Sequence, residues 1–342
     1  MTENIPEEQQ EFFEHFSVTV DPGQEPVRID KFLTGKMTNT SRTKVQLATS
    51  ADCVFVNEIA VKSNYKVKPG DKITLVLPEE PQSTEIIPEN IPLDIVYEDD
   101  QLIVINKAAG MVVHPGYNNY TGTLVHALAY HIQDSELFNK ENLRPGLVHR
   151  IDKNTTGLLV VAKTEFALTH LAKQFYDHSS DRRYLALVWG TFDEKEGSIT
   201  GYINRDIRNR KVMHNYENED EGRWSVTHYK VLEELAYVSV VECKLETGRT
   251  HQIRAHFKHI GHTLFNDERY GGERILKGTT FTKYKQFVDN CFKVLPRQAL
   301  HAKTLGFEHP TTKKWMQFDS EMPEDMQQAI EKWRNYTVHQ KE

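Results

Sequence analysis

Cysteines and long apolar runs are scarce in this sequence. Its 342 residues include three cysteines, which lie far apart and form neither a metal-binding pattern nor a disulfide framework. We therefore expect Cys53, Cys243 and Cys291 to be buried free thiols in a reducing cytoplasm. No apolar run reaches the length of a membrane span, and residues 1–16 lack the basic and apolar regions of a secretory signal. The sequence thus predicts a cytoplasmic protein with no membrane partner.

The sequence also lacks a net positive charge, which at first argues against a nucleic-acid partner. The net charge is -7, but the acid is concentrated in two segments. Residues 1–16 hold five glutamates and residues 73–106 hold eight acidic residues, and neither segment contains Lys or Arg. Together they account for -13, so the remainder of the chain carries +6. RNA binding depends on local positive potential, so RNA stays a possible partner.

Composition and periodicity divide the chain into five segments. Residues 28–72 carry nine basic and four acidic side chains around short helix and strand patterns. Ser41 has the position of a helix N-cap, and Asn57-Glu58 that of a turn between two short strands. We predict, in order, an acidic disordered tail over 1–16, a small α/β module over 17–78, an extended linker over 79–92, a large domain over 93–336 and a tail over 337–342.

The large domain is predicted to be of the α+β class, with a mixed, mainly antiparallel sheet. Runs of strand patterns with few interposed helices favour this class over a regular βαβ alternation. Helices are predicted at 122–131, 165–177, 250–260 and 323–335.

The most informative stretch runs from Gly146 to Val161. Asp152 follows a His-Arg pair and precedes a Thr-Thr-Gly turn, after which Leu158 to Ala162 form an apolar run that predicts a buried strand. Asp152 is therefore expected in a loop leading into a core strand, where rigid scaffolds often place reactive groups.

This stretch resembles the His-Arg-Leu-Asp-x-x-Thr-Ser-Gly signature of the RluA/RluD family of pseudouridine synthases, with Ile151 for Leu and Thr156 for Ser. In that family the aspartate is essential for isomerising uridine to pseudouridine in RNA. The resemblance implies that Asp152 is catalytic and that His149 and Thr156 contact the substrate. It also implies that Arg150 fills the space that the flipped base leaves.

Two further segments resemble family elements. Residues 106–116 are similar to Asn-Lys-Pro-x-Gly-x-x-Val-His-Pro, which implies that Lys107 and His114 lie near the RNA. The segment from Arg183 to Val188 resembles the one that carries an active-site tyrosine, so Tyr184 is expected to stack on the uracil and transfer protons. From the sequence alone, a buried core tyrosine at the start of a strand is the favoured explanation of this position.

The segment from Leu245 to His256 is the second specific signature. The resemblance implies that Arg254 forms a salt bridge with Asp152, and that Ile253 packs beside the base. A nearby cation keeps a partly buried carboxylate ionised. Arg249 is expected to bind the substrate, and phosphate binding is the alternative for both arginines.

Residues 28–72 are similar to the S4-type RNA-binding module, although Glu58 stands where family members usually have Gly. The similarity implies that RNA contacts four residues of the module, Arg28, Lys31, Arg42 and Lys44. A solvated basic face is the alternative.

The resemblance implies an enzyme that isomerises specific uridines in structured RNA, most simply in large-subunit ribosomal RNA or its assembly intermediate. No cofactor is implied because the reaction needs neither a redox step nor a group donor, and the spaced histidines of 251–262 indicate no metal site. Asp152 has three routes open: attack at C1′, addition to the base, or removal of a sugar proton. The alternatives are a tRNA pseudouridine synthase of the same family, a non-catalytic RNA-binding ribosome-assembly factor and a carboxylate glycosidase. We expect a monomer.

Overall fold

Two units make up the chain, Met1–Ser83 and Thr84–Glu342. The computed structural model describes residues 13–37, 40–77, 86–116, 119–132, 137 and 146–340. Within these ranges no helix has both the length and the apolar character needed to cross a membrane.

The first unit packs two helices against a four-stranded antiparallel sheet with the order β1-β4-β2-β3. Its core contains Ile29, Leu33 and Val54, which are fully buried. The elements in chain order are β1 (Phe13–Thr19), α1 (Ile29–Lys36), α2 (Arg42–Ser50), β2 (Val54–Val56), β3 (Ile59–Ala60) and β4 (Lys72–Leu77).

Two local predictions for this unit are confirmed. The Ser41 side chain accepts a hydrogen bond from the Lys44 amide, as an N-cap of α2 does. The turn at Asn57 and Glu58 joins β2 to β3, with φ of +49° and +70°. Glu58 therefore holds a left-handed conformation that Gly adopts at lower cost.

The predicted disordered tail over 1–16 extends too far along the chain. Residues 1–12 lie outside the described residues, but Phe13 to Phe16 belong to β1, which pairs with β4. Phe16 and Val18 pack against the core of the unit, so their burial outweighs the acidic composition around them.

The second unit contains a ten-stranded sheet with the order β10-β9-β11-β12-β8-β13-β7-β6-β5, and β14 pairs with β13. Every pairing is antiparallel except that of β13 with β7. The predicted α+β class and the mainly antiparallel sheet are confirmed. The strands are β5 (Ile95–Glu98), β6 (Leu102–Lys107), β7 (Thr156–Ala162), β8 (Asp181–Trp189), β9 (Glu196–Arg205), β10 (Met213–Tyr216), β11 (Arg223–Leu235), β12 (Val238–Leu245), β13 (Leu300–Glu308) and β14 (Trp315–Asp319).

Both faces of this sheet are covered by helices. The helices are α3 (Leu124–His131), α4 (Glu165–Tyr176), α5 (Gln252–His259), α6 (Thr282–Val294) and α7 (Glu324–Gln340). On β7, Leu159 and Val161 pack with α3 and α5, whereas Leu158 and Val160 pack with α4. Helices α6 and α7 pack on the face that carries Trp189. A strand buried on both sides reads as a continuous apolar run, which is why β7 could be predicted.

The four predicted helices of this unit are confirmed, and two segment boundaries need correction. Helix α7 continues to Gln340, beyond the expected start of a tail at 337. In the expected linker, residues 79–85 lie outside the described residues, but Ile86 is buried against Val125 and Ala129 of α3. Helix α6 is absent from the predicted helices, although Tyr284, Phe287, Val288 and Cys291 follow helical spacing.

Candidate active site

The loop that carries Asp152 is fixed to β7 at several points. Gly146 has φ of +66°, and a Cβ there would lie 2.1 Å from the carbonyl oxygen of Ala162, so only Gly fits. The Ala162 amide donates to the Gly146 carbonyl, and the Val160 amide donates to Nε2 of His149 at 3.1 Å. The carbonyl of Asp152 accepts from the Thr155 amide. The buried strand therefore determines where Asp152 lies.

The expected ion pair between Asp152 and Arg254 is present. Nη1 of Arg254 donates to Oδ2 of Asp152 at 2.9 Å. Its Nε and Nη2 both donate to Asp267, each at 2.7 Å, and its guanidinium lies 4.9 Å from the ring centroid of Tyr270. Two carboxylates thus share one buried guanidinium. Asp267 accepts two hydrogen bonds from it, whereas Asp152 accepts one.

The charges around Asp152 keep it ionised. Burial alone would raise the pKa of its carboxyl group, but His251, which is protonated only at low pH, together with Arg254 and Arg150 outweighs burial and lowers the pKa. At pH 7 the two arginines are the cations that keep the carboxylate ionised. The side chain keeps 20% exposure, and Oδ1 accepts no hydrogen bond from any described residue. This oxygen is therefore available to a substrate.

Two hydrogen bonds place the His251 ring near Asp152. The Met213 amide donates to the Tyr270 hydroxyl at 2.8 Å, and that hydroxyl lies 3.1 Å from Nδ1 of His251. With the Tyr270 proton directed to Nδ1, the ring proton of His251 is on Nε2, which lies 3.8 Å from Oδ2 of Asp152. Burial lowers the pKa of His251 to about 4, so the ring is neutral at pH 7.

A cavity of about 750 Å³ opens beside Asp152. Tyr184 and Ile253 are buried in its wall, which places an aromatic ring and an aliphatic side chain beside the carboxylate. Burial raises the pKa of Tyr184, so its hydroxyl stays protonated. An aromatic ring, an aliphatic side chain and an ionised carboxylate in one cavity suit a planar base attached to a sugar.

The predicted residues at the margin of the cavity are held by neighbours. Nη1 of Arg150 lies 3.2 Å from Nε2 of His114, and both residues line the cavity. Nε of Arg249 donates to the Trp224 carbonyl at 3.2 Å. The ring of His149 stacks on Phe175 with centroids 4.4 Å apart, and burial with the nearby Arg182 lowers its pKa to about 3.

Lys107 and Thr156 lie elsewhere than their predicted substrate-binding roles require. Lys107 is 1% exposed and donates three hydrogen bonds, to the carbonyls of Ala108, Met111 and Lys153, at 2.7 to 3.0 Å. Its ammonium thus links two loops. The Thr156 hydroxyl lies 2.9 Å from Nδ1 of the buried His301, and Thr156 does not line the cavity. Both residues support the loop of Asp152 from behind.

Known proteins similar to this chain have one activity in common. A family model described as RNA pseudouridylate synthase matches residues 101–259. An uncharacterized RNA pseudouridine synthase of Chlorobaculum parvum is 45% identical, over 93% of this chain and 97% of the relative. The ribosomal large subunit pseudouridine synthase D of Zymomonas mobilis is 42% identical, over 88% of this chain and 92% of the relative. This chain belongs to the RluA/RluD family of RNA pseudouridine synthases.

A solved structure supports the fold of this family member. The human RNA pseudouridylate synthase domain containing 1 matches with a TM-score of 0.50 and 24% identity, over 75% of this chain and 98% of the human chain.

Sequence reasoning on this pseudouridine synthase missed four residues of the site. Asp267, Tyr270 and His251 are not among the site residues that the sequence predicts. Arg182 was not singled out, although it lines the cavity two residues before Tyr184. Side chains at alternate positions of a strand share a face, so the prediction of Tyr184 as a site residue could have indicated Arg182 as well.

Proposed function

We propose that this synthase isomerises specific uridines of large-subunit ribosomal RNA, or of its assembly intermediate, with Asp152 as the catalytic residue. The observation that carries the proposal is the ion pair between Asp152 and Arg254 at the cavity, with Oδ1 of Asp152 directed to no protein donor among the described residues. The large-subunit target is supported by relatives that are named ribosomal large subunit pseudouridine synthase D.

The reaction is a balanced rearrangement within one nucleotide. The N1–C1′ bond breaks, the uracil turns, and a C5–C1′ bond forms, while C5 loses a proton and N1 gains one. An ionised carboxylate can attack C1′ or accept a proton from the sugar. Arg254 keeps Asp152 in the required charge state, and Asp267 fixes the orientation of Arg254.

The neighbouring side chains hold the base while its bond is broken. Tyr184 stacks on the uracil and supplies a protonated hydroxyl, and Ile253 packs against the other side. The uridine must leave its stack to reach Asp152. Arg150 is exposed at the cavity margin beside His114, from where its side chain can occupy the vacated space in the RNA.

The first unit supplies a basic RNA-binding surface in this proposal. Asp30 is fully buried and accepts from Arg28 and Arg42, which leaves both guanidinium groups about half exposed and fixed in position. Lys31 and Lys44 are exposed. Fixed cations bind phosphates at low conformational cost.

We further propose that the enzyme acts as a monomer in the cytoplasm. The three cysteines are buried free thiols, which a reducing cytoplasm favours. Size-exclusion chromatography with light scattering tests the oligomeric state, and a mass of twice 39.7 kDa would refute a monomer.

The function is tested by mapping pseudouridines in total RNA from cells that lack this gene. Complementation uses the wild type and Asp152→Ala. We expect large-subunit sites that disappear in the deletion and return only with the wild type. Loss of tRNA sites instead would refute the proposed target. Equal restoration by Asp152→Ala would refute catalysis by Asp152 and favour a non-catalytic RNA-binding role.

A further inference from the structure

Arg182 is a buried cation without an acidic partner. It is 6% exposed and lines the cavity, on the same face of β8 as Tyr184. Its Nη2 makes one long hydrogen bond, 3.3 Å to the Glu246 carbonyl, and its Nε is buried with no partner among the described residues. Burial lowers the pKa of Arg182; the Tyr184 hydroxyl opposes that shift, but no described carboxylate does.

Two neighbouring arginines, in contrast to Arg182, have acidic partners. Arg254 pairs with Asp152 and Asp267, and Arg183, the next residue along β8, pairs with Asp181 and Glu242. Burying an unpaired charge costs folding free energy, and a buried polar group without partners therefore calls for an explanation. A ligand that carries negative charge into the cavity supplies one.

The surroundings of Arg182 hold its guanidinium in the wall of the cavity. A Cβ at Gly248 would lie 2.8 Å from Nη1, so any larger residue there would crowd this nitrogen. The guanidinium lies 5.1 Å from the ring centroid of Phe175, which orients it. Tyr176, which also lines the cavity, is 83% exposed. The site thus combines a fixed, largely buried guanidinium with an exposed aromatic side chain in the lining of the same cavity.

We propose that Arg182 binds a phosphate group of the RNA strand whose uridine enters the cavity. The inference rests on the proposed function, because RNA is the ligand that brings phosphate next to a flipped base. A guanidinium matches the geometry of phosphate oxygens and gains charge-assisted hydrogen bonds in a site shielded from water. The contact positions the backbone beside Tyr184 while the base lies over Asp152.

The salt dependence of RNA binding tests this contact. Affinity for a large-subunit ribosomal RNA transcript is measured at several KCl concentrations in the Asp152→Asn background, so that turnover plays no part. Adding Arg182→Gln should weaken binding by about 10- to 100-fold and reduce the slope of log K against log salt by about one. Arg182→Lys should keep the slope. Arg183→Gln, the matched control, should also keep it.

Protein stability without RNA gives an independent readout. Arg182→Met should leave the thermal midpoint unchanged or higher, because it removes an unpaired buried charge. A wild-type salt slope for Arg182→Gln would overturn the proposal, as would a lower midpoint for Arg182→Met with unchanged RNA affinity. A wild type that binds this RNA but makes no pseudouridine would instead refute the proposed function, while the slopes would still report on Arg182.

Discussion

The two carboxylates that share Arg254 should contribute very differently to stability. Asp267 is fully buried and accepts two hydrogen bonds of 2.7 Å from the guanidinium. Asp152 accepts one of 2.9 Å, and its side chain is 20% exposed. Asp→Asn at either position removes one charge with almost no change in volume, so the two variants form a matched pair.

The structure sets the expected magnitudes. Removing one partner of a buried ion pair costs about 3–5 kcal/mol, and since the amide oxygen of the substituted side chain can keep one hydrogen bond, we expect about 3 kcal/mol for D267N. For D152N the guanidinium donates to a neutral amide oxygen instead of a carboxylate, which costs about 1 kcal/mol. In a unit of this size 1 kcal/mol shifts the melting temperature by about 2–4 °C. D267N should therefore lower it by about 6–12 °C, and D152N by no more than about 4 °C.

Tryptophan fluorescence is the appropriate assay. All four tryptophans, Trp189, Trp224, Trp315 and Trp333, belong to the second unit, so their signal reports on the unit that contains the site. Both variants should lose pseudouridine formation when assayed below their own melting temperatures. Equal destabilisation by the two variants, or an unchanged melting temperature for D267N, would refute this account of Arg254.

Three further predictions concern other parts of the molecule. Burial lowers the folded-state pKa of His251, His256 and His301 to about 4 and that of His149 to about 3, so the unfolded chain binds more protons between pH 4 and 6.5. Stability that is present above pH 6.5 should fall toward pH 4, with these four histidines taking up about four protons on unfolding near pH 5, and a flat profile by urea titration would contradict this. Glu58→Gly should stabilise the first unit by about 1 kcal/mol by relieving a φ of +70°, measured by hydrogen exchange, whereas Glu58→Ala should give no gain. Lys107→Met should destabilise the second unit by about 3 kcal/mol in urea unfolding, because three buried carbonyls lose their donor; a neutral effect would mean that this ammonium is not structural.

The features that the sequence predicts well are local ones. The apolar run of β7 and the preceding loop lie within about twenty residues, so the position of Asp152 next to a core strand follows from periodicity. Ser41 acts on an amide three residues away, which is the range of a capping rule. The pairing of Asp152 with Arg254 spans 102 residues, and it was predicted through family resemblance alone.

The features that escaped prediction depend on distant segments. Asp267 and Tyr270 reach Asp152 only through the folded positions of Arg254 and His251. Lys107 resembles an exposed substrate-binding lysine in the sequence, because the three carbonyls that surround it belong to two separate loops. Thr156 starts a strand buried on both faces, so no alternation indicates on which side its hydroxyl lies.

The central claim, that Asp152 is the catalytic residue, is tested most directly by measuring release of the C5 hydrogen. Large-subunit ribosomal RNA made with uridine tritiated at C5 loses tritium to water only when C5 forms its new bond to C1′. With excess purified enzyme, we predict that the wild type releases tritium in proportion to the pseudouridine formed, and that D152N, folded at the assay temperature, releases none. Tritium release by D152N at the wild-type rate would contradict the assignment of Asp152 as the catalytic residue.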